Sequence, residues 1–474
     1  MTVDRPQLPS SEPNWPEPSH LGRAGWSWAL FQGGRDPYII LVTIYIFVPY
    51  LVTSVIGDPV RGQALIASGA KYAGWAVAVL APLLGATVDR MGPRKPWLAV
   101  TVALMVPLIA SLWFATPGGA GLGITTIIAI TAVISLLFAL TQTLHNALLI
   151  PAAGMRGAGA ASGLALACGN FVSVTLLAFS LWAFALPGKV SWSFVPLRPL
   201  FGLDPATHQP ERIVPVIIAA LLAGLTLPLL RFVPDLPSTG LRLGRAMRLA
   251  LGDIRRLFVE ARGHRDGFLY LGAQMLFTDG LTGILIFTGI YAAGAMGWKS
   301  LELTAYGLIL SLFAVAGGLL AGWLDGRIGP KRALTIEIFG VIVSQIMVLG
   351  NTRASLFYTA FDPATHAPLW TGPMFRTLPD LGLLISGIVG AVTVTAAYAS
   401  SRTMLTRVVP ADRIGIFFGL FVIAGTATMW LGPLLVQLAT LWSGSQRVGL
   451  LPIVGLLISG VVLLQSVKTH CPSE

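Results

Sequence analysis

Two stretches decide the architecture: "GATVDRMGPRKPW", Gly85 to Trp97, and "GWLDGRIGPKRAL", Gly322 to Leu334. Aligned on Arg90-x-Gly92-Pro93 and Arg327-x-Gly329-Pro330, they stand 237 residues apart in a chain of 474. Self-similarity at half the chain length reads as two matching halves. In each stretch a glycine permits a tight turn and a proline stiffens it. The cations on either side, Arg90, Arg94 and Lys95 in one and Arg327, Lys331 and Arg332 in the other, would hold the turn on the cytoplasmic side of a membrane. That bias alone explains one basic turn; two in matching places call for a repeat.

The membrane follows from composition. The chain is 55% hydrophobic and 11% charged, where a soluble domain carries roughly a quarter of its residues as charges. A spanning helix needs about 20 predominantly apolar residues. About twelve such runs fall near Trp26 to Val52, Ala64 to Val88, Trp97 to Ala115, Leu122 to Ile150, Ala160 to Leu186, Ile213 to Phe232, Gly267 to Ala293, Leu303 to Leu324, Leu334 to Leu349, Leu381 to Ser400, Ile414 to Leu441 and Gly449 to Val467. The expected fold is an all-α integral membrane protein of about 12 transmembrane helices in two six-helix halves. It divides into a disordered tail at 1–25, an N-terminal half at 26–233, an amphipathic linker at 234–266, a C-terminal half at 267–467 and a short tail at 468–474. Residues 1–25, rich in Pro, Ser and Glu, lack the apolar core and cleavage site of a secretory signal. Cys168 and Cys471 make neither a disulfide framework nor a Cys-x-x-Cys pair, so no metal or cofactor is expected.

With the N-terminus inside, the cytoplasmic loops hold Arg90, Arg94 and Lys95; Arg156; the basic linker; Arg327, Lys331 and Arg332; Arg402, Arg407 and Arg413; and Lys468. Arg61, Lys189, Arg198, Arg212, Lys299, Arg353, Arg376 and Arg447 are spread over long loops on the other side. The positive-inside bias puts both termini in the cytoplasm. The net charge of +11 raises nucleic acid as a partner, above all in "LRLGRAMRLALGDIRRLFVEARGHR". On a helical wheel, though, Leu243, Met247, Leu251, Ile254, Leu257 and Phe258 gather opposite Arg242, Arg245, Arg248, Arg255 and Arg256. That pattern suits lipid headgroups, and no aromatic stacking set or groove-reading motif accompanies it. Membrane lipids are expected as partners, and nucleic acid is not.

The pattern Gly85-x-x-x-Asp89-Arg90-x-Gly92-x-Arg94-Lys95 resembles the signature loop of the major facilitator superfamily, with a weaker copy in which Asp325 is displaced by one residue. The resemblance implies that Asp89 and Arg90 help latch a cytoplasmic gate, with Asp325, Arg327, Gly329, Lys331 and Arg332 as the counterpart. "WALFQGGRDPY" from Trp28, "APLLGATVDRMGPRKPWL" from Ala81, "HNALLIP" from His145 and "SRTMLTRVVPADRIGIFFGLFVIAGTATMWLGPLL" from Ser401 are similar to vacuolar amino-acid effluxers and their bacterial relatives. The likeness implies a bacterial cytoplasmic (inner) membrane location. Several polar positions depart from the family. Phe31-Gln32-Gly33-Gly34-Arg35 stands for Tyr-Asp-Trp-Ala-Asn, and His145-Asn146 for Tyr-Asn. Ile150-Pro151-Ala152 stands for Leu-Pro-Glu, and Thr426 for a Lys. Asp279-Gly280 keeps the family's Asn-Asp-Gly. Amino-acid transport therefore does not carry over directly.

Asp279 is the only formally charged side chain in "YLGAQMLFTDGLTGILIFTGIYAAG", Tyr270 to Gly294. A mid-span Asp costs about 2.5–3.5 kcal/mol on insertion scales and faces a partner or a watery cavity. Thr278, Gly280, Thr282 and Gly283 around it offer hydroxyls and close approach. In the first span Pro37 removes a helical hydrogen bond and crowds the Gly33 carbonyl, so unwinding is expected at Gly33 to Pro37. Arg35 and Asp36 lie at similar depth to Asp279, and the three would form a cation with two carboxylates around a central cavity, beside Gln32. Each also has a structural alternative: Arg35 and Asp36 satisfying one another, Asp279 tying helices together, Lys71 snorkelling, His145 with its neighbour Asn146 in a satisfied polar contact, and Glu337 likewise. "DPATH" at Asp204 to His208 and Asp362 to His366 reads as turn or cap chemistry.

No Gly-x-x-x-x-Gly-Lys-Ser/Thr loop is present, so ATP hydrolysis is not expected and a gradient must drive any transport. The expected function is secondary active transport, not enzymatic catalysis, by a monomer. The substrate is a small polar solute, anionic if Arg35 attracts it, moved by alternating access and coupled to protons through Asp279. A sugar or drug substrate stays open, as does a non-transporting assembly factor or sensor on the same fold.

Overall fold

The computed structural model describes residues 21–119, 121–261, 263–409 and 414–468. Most of the expected N-terminal tail, Arg413, Cys471 and all of the C-terminal tail but Lys468 lie outside the described residues. The described chain is nearly all helical, and 12 helices are long and apolar enough to cross a membrane. They are span 1 (Arg23–Val55), span 2 (Pro59–Met91), span 3 (Lys95–Phe114), span 4 (Ile124–Ala147), span 5 (Ala160–Ala185) and span 6 (Gln209–Phe232), then span 7 (Arg265–Ala295), span 8 (Ser300–Ile328), span 9 (Pro330–Gly350), span 10 (Leu378–Leu405), span 11 (Gly419–Ser443) and span 12 (Gln446–Gln465). A linker helix, Leu243–Glu260, lies between the two sets of six. A two-stranded hairpin pairs Ser355–Leu356 with Thr359–Ala360 in the loop after span 9.

Within the first set, span 1 packs on spans 5 and 6, and span 4 on spans 2 and 3; within the second, span 7 packs on spans 11 and 12, and span 10 on spans 8 and 9. The sets meet where span 2 crosses span 11, span 5 meets span 8, and span 1 touches span 7. Span 1 and span 7 approach backbone to backbone: a Cβ added at Gly289 would overlap the Ile44 carbonyl oxygen. Small residues are what permit such contact between helices in a membrane.

Two spans differ from expectation. Span 1 is not unwound at Gly33 to Pro37: Asp36 (φ −64°, ψ −32°) and Pro37 (φ −54°, ψ −25°) remain helical. The proline is absorbed by widening the turns that follow it, so that the Ile46 N–H donates to the Leu41 carbonyl five residues back at 2.9 Å. Gly33 and Gly34 serve packing instead. Cβ atoms there would stand 3.1 Å from Val172 Cγ2 in span 5 and 3.1 Å from the Leu221 carbonyl in span 6. The real break is in span 11, which is formed by the helix Ile414–Ala427 from Gly419 onward and the helix Leu431–Ser443, joined by a tight turn in which the Leu431 N–H donates to Thr428 O at 2.8 Å.

Candidate functional site

A cavity of about 210 Å³ lies between the two sets of spans. Its polar lining is Tyr45, Asn170 and Ser173 from spans 1 and 5, and Thr288, Tyr306, Ser311, Ser344, Gln345 and Thr395 from spans 7 to 10. The remaining lining is apolar or glycine, and no charged side chain among the described residues borders it. The Tyr306 hydroxyl is buried with no hydrogen-bond partner, whereas Ser344 Oγ donates to the Ser386 carbonyl at 2.8 Å.

The three mid-membrane charges do not converge on this cavity. The Arg35 guanidinium lies 3.4 Å from Asp36 and 4.2 Å from the centre of the Phe138 ring, and Gln32 Nε2 donates to Asp36 Oδ2 at 2.7 Å. This pair is held among spans 1, 4 and 5, where Asp36 faces Gly169. Asp279 is buried elsewhere, at the break in span 11: the Gly432 N–H donates to Asp279 Oδ2 at 2.6 Å, and Oδ1 has no partner. The physical reason for the separation is that a helix start leaves N–H groups unpaired and carries partial positive charge. The carboxylate answers the second half of span 11 rather than a distant guanidinium. Thr278 is half-buried beside it, and Thr282 Oγ1 and the Tyr398 hydroxyl share a hydrogen bond of 3.2 Å.

The remaining expected residues fall into other roles. His145 is buried, stacks on Trp28 at 4.1 Å, and donates from Nε2 to the Trp28 carbonyl at 2.8 Å while Trp28 Nε1 donates to the His145 carbonyl at 2.7 Å. It joins spans 1 and 4. Asn146 is exposed and accepts from Gln142 Nε2. Glu337 is buried and accepts from Ser400 Oγ at 3.0 Å. Lys71 Nζ donates to Gln437 Oε1 at 2.9 Å and lies 4.4 Å from the Tyr72 ring centre, so it bridges spans 2 and 11. Both "DPATH" segments are turns, in which Asp204 Oδ1 and Asp362 Oδ1 each accept the N–H two residues on at 2.9 Å.

Lys71 belongs to a clamp that the sequence did not disclose. Gln63 Nε2 donates to Thr440 Oγ1 at 2.8 Å and to the Gln446 carbonyl at 3.2 Å, and Gln446 Nε2 donates to the Pro59 carbonyl at 3.1 Å. These bonds join the two sets directly, at the face opposite the signature loop. Partners more than 350 residues apart, all but Lys71 neutral and all common in type, leave no local pattern to read.

At the signature-loop face the joins run through the linker. Asp89 Oδ1 accepts from Arg94 at 2.6 Å. Arg90 grips Asp253 of the linker helix with two bonds, Nε to Oδ2 at 2.6 Å and a terminal nitrogen to Oδ1 at 2.5 Å. That hydrogen-bonded guanidinium holds the Asp253 carboxyl below its ordinary range. Asp235 accepts the N–H groups of Arg94 and Lys95 at 2.8 and 3.0 Å, and Lys95 Nζ donates to the Val233 carbonyl at 2.8 Å. Gly92, at φ 95°, lies so close to the linker that a Cβ would overlap the Pro237 carbonyl, and Gly85 has only Thr143 Cγ2 nearby at 3.2 Å. In the second copy Asp325 accepts from Thr403 Oγ1 at 2.5 Å, Arg327 lies 4.4 Å from the Trp323 ring centre, and Arg332 is exposed. Lys331 Nζ donates to the Gln465 and Val467 carbonyls at the end of span 12, and Gly329 turns at φ 80° with open space around it.

Comparison with known proteins bears on this geometry. A family model described as vacuole effluxer Atg22 like matches residues 154–471. The uncharacterized MFS-type transporter YxiO of Bacillus subtilis (strain 168) is 20% identical over 458 residues, covering 94% of this chain and 95% of that one. Among solved structures, the nucleoside transporter NupG superposes with a TM-score of 0.59 at 13% identity, over 94% of this chain and 98% of that chain. The inward open conformation of the xylose transporter XylE from E. coli gives 0.60 at 13%, over 95% and 96%. At that identity the structures speak to fold alone, and the fold is that of the major facilitator superfamily. With a match over two thirds of its length and this twelve-helix architecture, the chain belongs to the Atg22-like vacuole effluxer family of major facilitator transporters.

Proposed function

We propose that the protein is a secondary active transporter of a small, uncharged or net-neutral polar solute, moved by alternating access and coupled to protons. The observation that carries this reading is the 210 Å³ cavity bordered by both sets of spans, with hydroxyls, amides and two tyrosines in its wall and no charge among the described residues. A largely apolar cavity wall without a countercharge disfavours a bare anion, and Arg35, already paired with Asp36, does not support an anionic substrate. Neutral amino-acid-like metabolites and sugars both suit such a wall; a D-xylose-proton symporter is among the similar folds, with a TM-score of 0.58. The signature loop and both termini lie on the cytoplasmic side of the cytoplasmic membrane by the charge bias of the loops.

In this reading the direct bonds of Gln63, Lys71 and Gln446 close the external side, and their release accompanies reorientation. Asp279 is the proton carrier. Its free oxygen accepts the proton, and neutralising the carboxylate weakens its hold on the start of the Leu431–Ser443 helix, so protonation and the angle of span 11 change together.

Uptake into sealed vesicles under an imposed pH gradient, across a panel of neutral amino acids, sugars and organic anions, tests the substrate class. Accumulation of organic anions alone would overturn it, and no movement of any solute would favour the sensor reading. Asp279→Asn keeps shape and hydrogen bonding but cannot exchange a proton. The variant is expected to insert, to exchange substrate between equal pools, and to lose accumulation driven by the pH gradient. Full accumulation by the Asn variant assigns Asp279 a purely structural role.

A further inference from the structure

The linker helix Leu243–Glu260 has three faces. At about 100° per residue, Ala246, Ala250, Asp253 and Leu257 share one stripe, and that stripe meets the bundle. Ala246 and Ala250 are fully buried, Asp253 receives Arg90, and Leu257 lies 3.6 Å from where a Cβ at Gly419 would stand. Leu243, Met247, Leu251 and Phe258 form a second stripe about 90° round the helix, and they are left in the open at 45%, 39%, 58% and 45% exposure. Arg245, Arg248, Arg255 and Arg256, all exposed, occupy the side beyond. A helix that needed only its own bundle would turn its large apolar residues inward; this one packs through Ala246, Ala250 and Leu257 and leaves Leu243, Met247, Leu251 and Phe258 in the open.

Its position says what covers that stripe. The helix is pinned against the ends of spans 2 and 11, where their apolar runs give way to polar residues. We propose that Leu243–Glu260 is a docking surface for an anionic bilayer leaflet, with the Leu243, Met247, Leu251 and Phe258 stripe among acyl chains and Arg245, Arg248 and Arg255 on lipid phosphates. Apolar side chains next to arginines on one helix match the two layers a lipid surface presents. A nucleic acid would engage the arginines and leave the apolar stripe in water. Because Asp253 holds Arg90 from the same helix, lipid seated on it would also steady the signature loop.

The test needs no substrate, so its outcome is independent of the proposed transport activity. Full-length protein carrying Leu251→Cys, with Cys168→Ala and Cys471→Ala, is labelled with an environment-sensitive fluorophore and reconstituted into vesicles of phosphatidylcholine alone or mixed with phosphatidylglycerol. The expected result is a blue shift, with quenching by nitroxide lipids, that is larger in the anionic vesicles. It should shrink with added salt and be lost when Arg245, Arg248, Arg255 and Arg256 are changed to Gln. A single Arg248→Gln, which removes one exposed charge, should lose part of the shift and serves if the fourfold variant folds poorly. Equal emission in both vesicle types, or a shift that survives the fourfold change, overturns the proposal. So does a shift produced in phosphatidylcholine vesicles only on adding an RNA oligonucleotide, which would assign the face to nucleic acid.

Discussion

The two copies of the Arg-x-Gly-Pro turn share a sequence and hold different things. The first is sewn to the linker: Asp235 caps its N–H groups, Arg90 grips Asp253, Lys95 reaches the Val233 carbonyl, and the Thr239 N–H donates to the Met91 carbonyl at 3.0 Å. In the second, Arg327 lies over Trp323 of its own helix and Lys331 closes the end of span 12. An internal repeat therefore preserves a turn and its charge while its partners diverge, because only the first copy lies beside the segment that joins the halves.

The largest expected contrast is at the glycines. Gly329→Ala would force a side chain into φ 80°, ψ 152° with open space around it, a strain of about 1–3 kcal/mol. Gly92→Ala should cost more, since its Cβ would also overlap the Pro237 carbonyl. Thermal unfolding of both variants in one detergent decides this, and equal losses would mean that the linker does not press on the first turn. Next comes the charge pair. Arg90→Ala is expected to raise the labelling rate of a cysteine placed at Thr239 several-fold while leaving insertion unchanged, whereas Arg327→Ala should leave that rate alone. Partners that are 39% and 33% exposed limit the stability loss to about 1 kcal/mol or less. Smallest is the pH effect. A carboxyl lowered by its guanidinium contributes stability above its unfolded value of about 3.9, and that contribution is lost as pH falls through the depressed folded value. The Thr239 label should therefore report a constant linker from neutral to mildly acidic pH, loosening only under strongly acidic conditions. Loosening near pH 6 would point to another group.

The spans were legible because each is a long apolar run, and the halves because a turn recurs at half the chain. Position along a helix is readable from sequence, but direction around it is not. Similar depth and an expected break at Gly33 to Pro37 bring Arg35, Asp36 and Asp279 together in the sequence, and the structure puts the Arg35–Asp36 pair and Asp279 on separate contacts. Pro37 marks span 1 for a break, whereas the chain breaks in span 11 just ahead of Gly432-Pro433, a Gly-Pro pair that carries the same local signal. The cavity hydroxyls and the Gln63 clamp left no such signal, because serine, threonine and glutamine are common and their meaning here comes only from the helix they face.

The break in span 11 also bears on how the protein is made. Its pieces have 14 and 13 residues, each about 20 Å long, against a hydrocarbon thickness of about 30 Å. Neither crosses a bilayer by itself, and the second begins with an amide, that of Gly432, which no backbone carbonyl takes and which lipid would not satisfy. Span 7, synthesised earlier, brings the carboxylate that meets it. Each partner thus covers a polar group the other would leave in lipid: until span 11 has entered, Asp279 stands without the Gly432 amide, and without span 7 that amide stands without its acceptor.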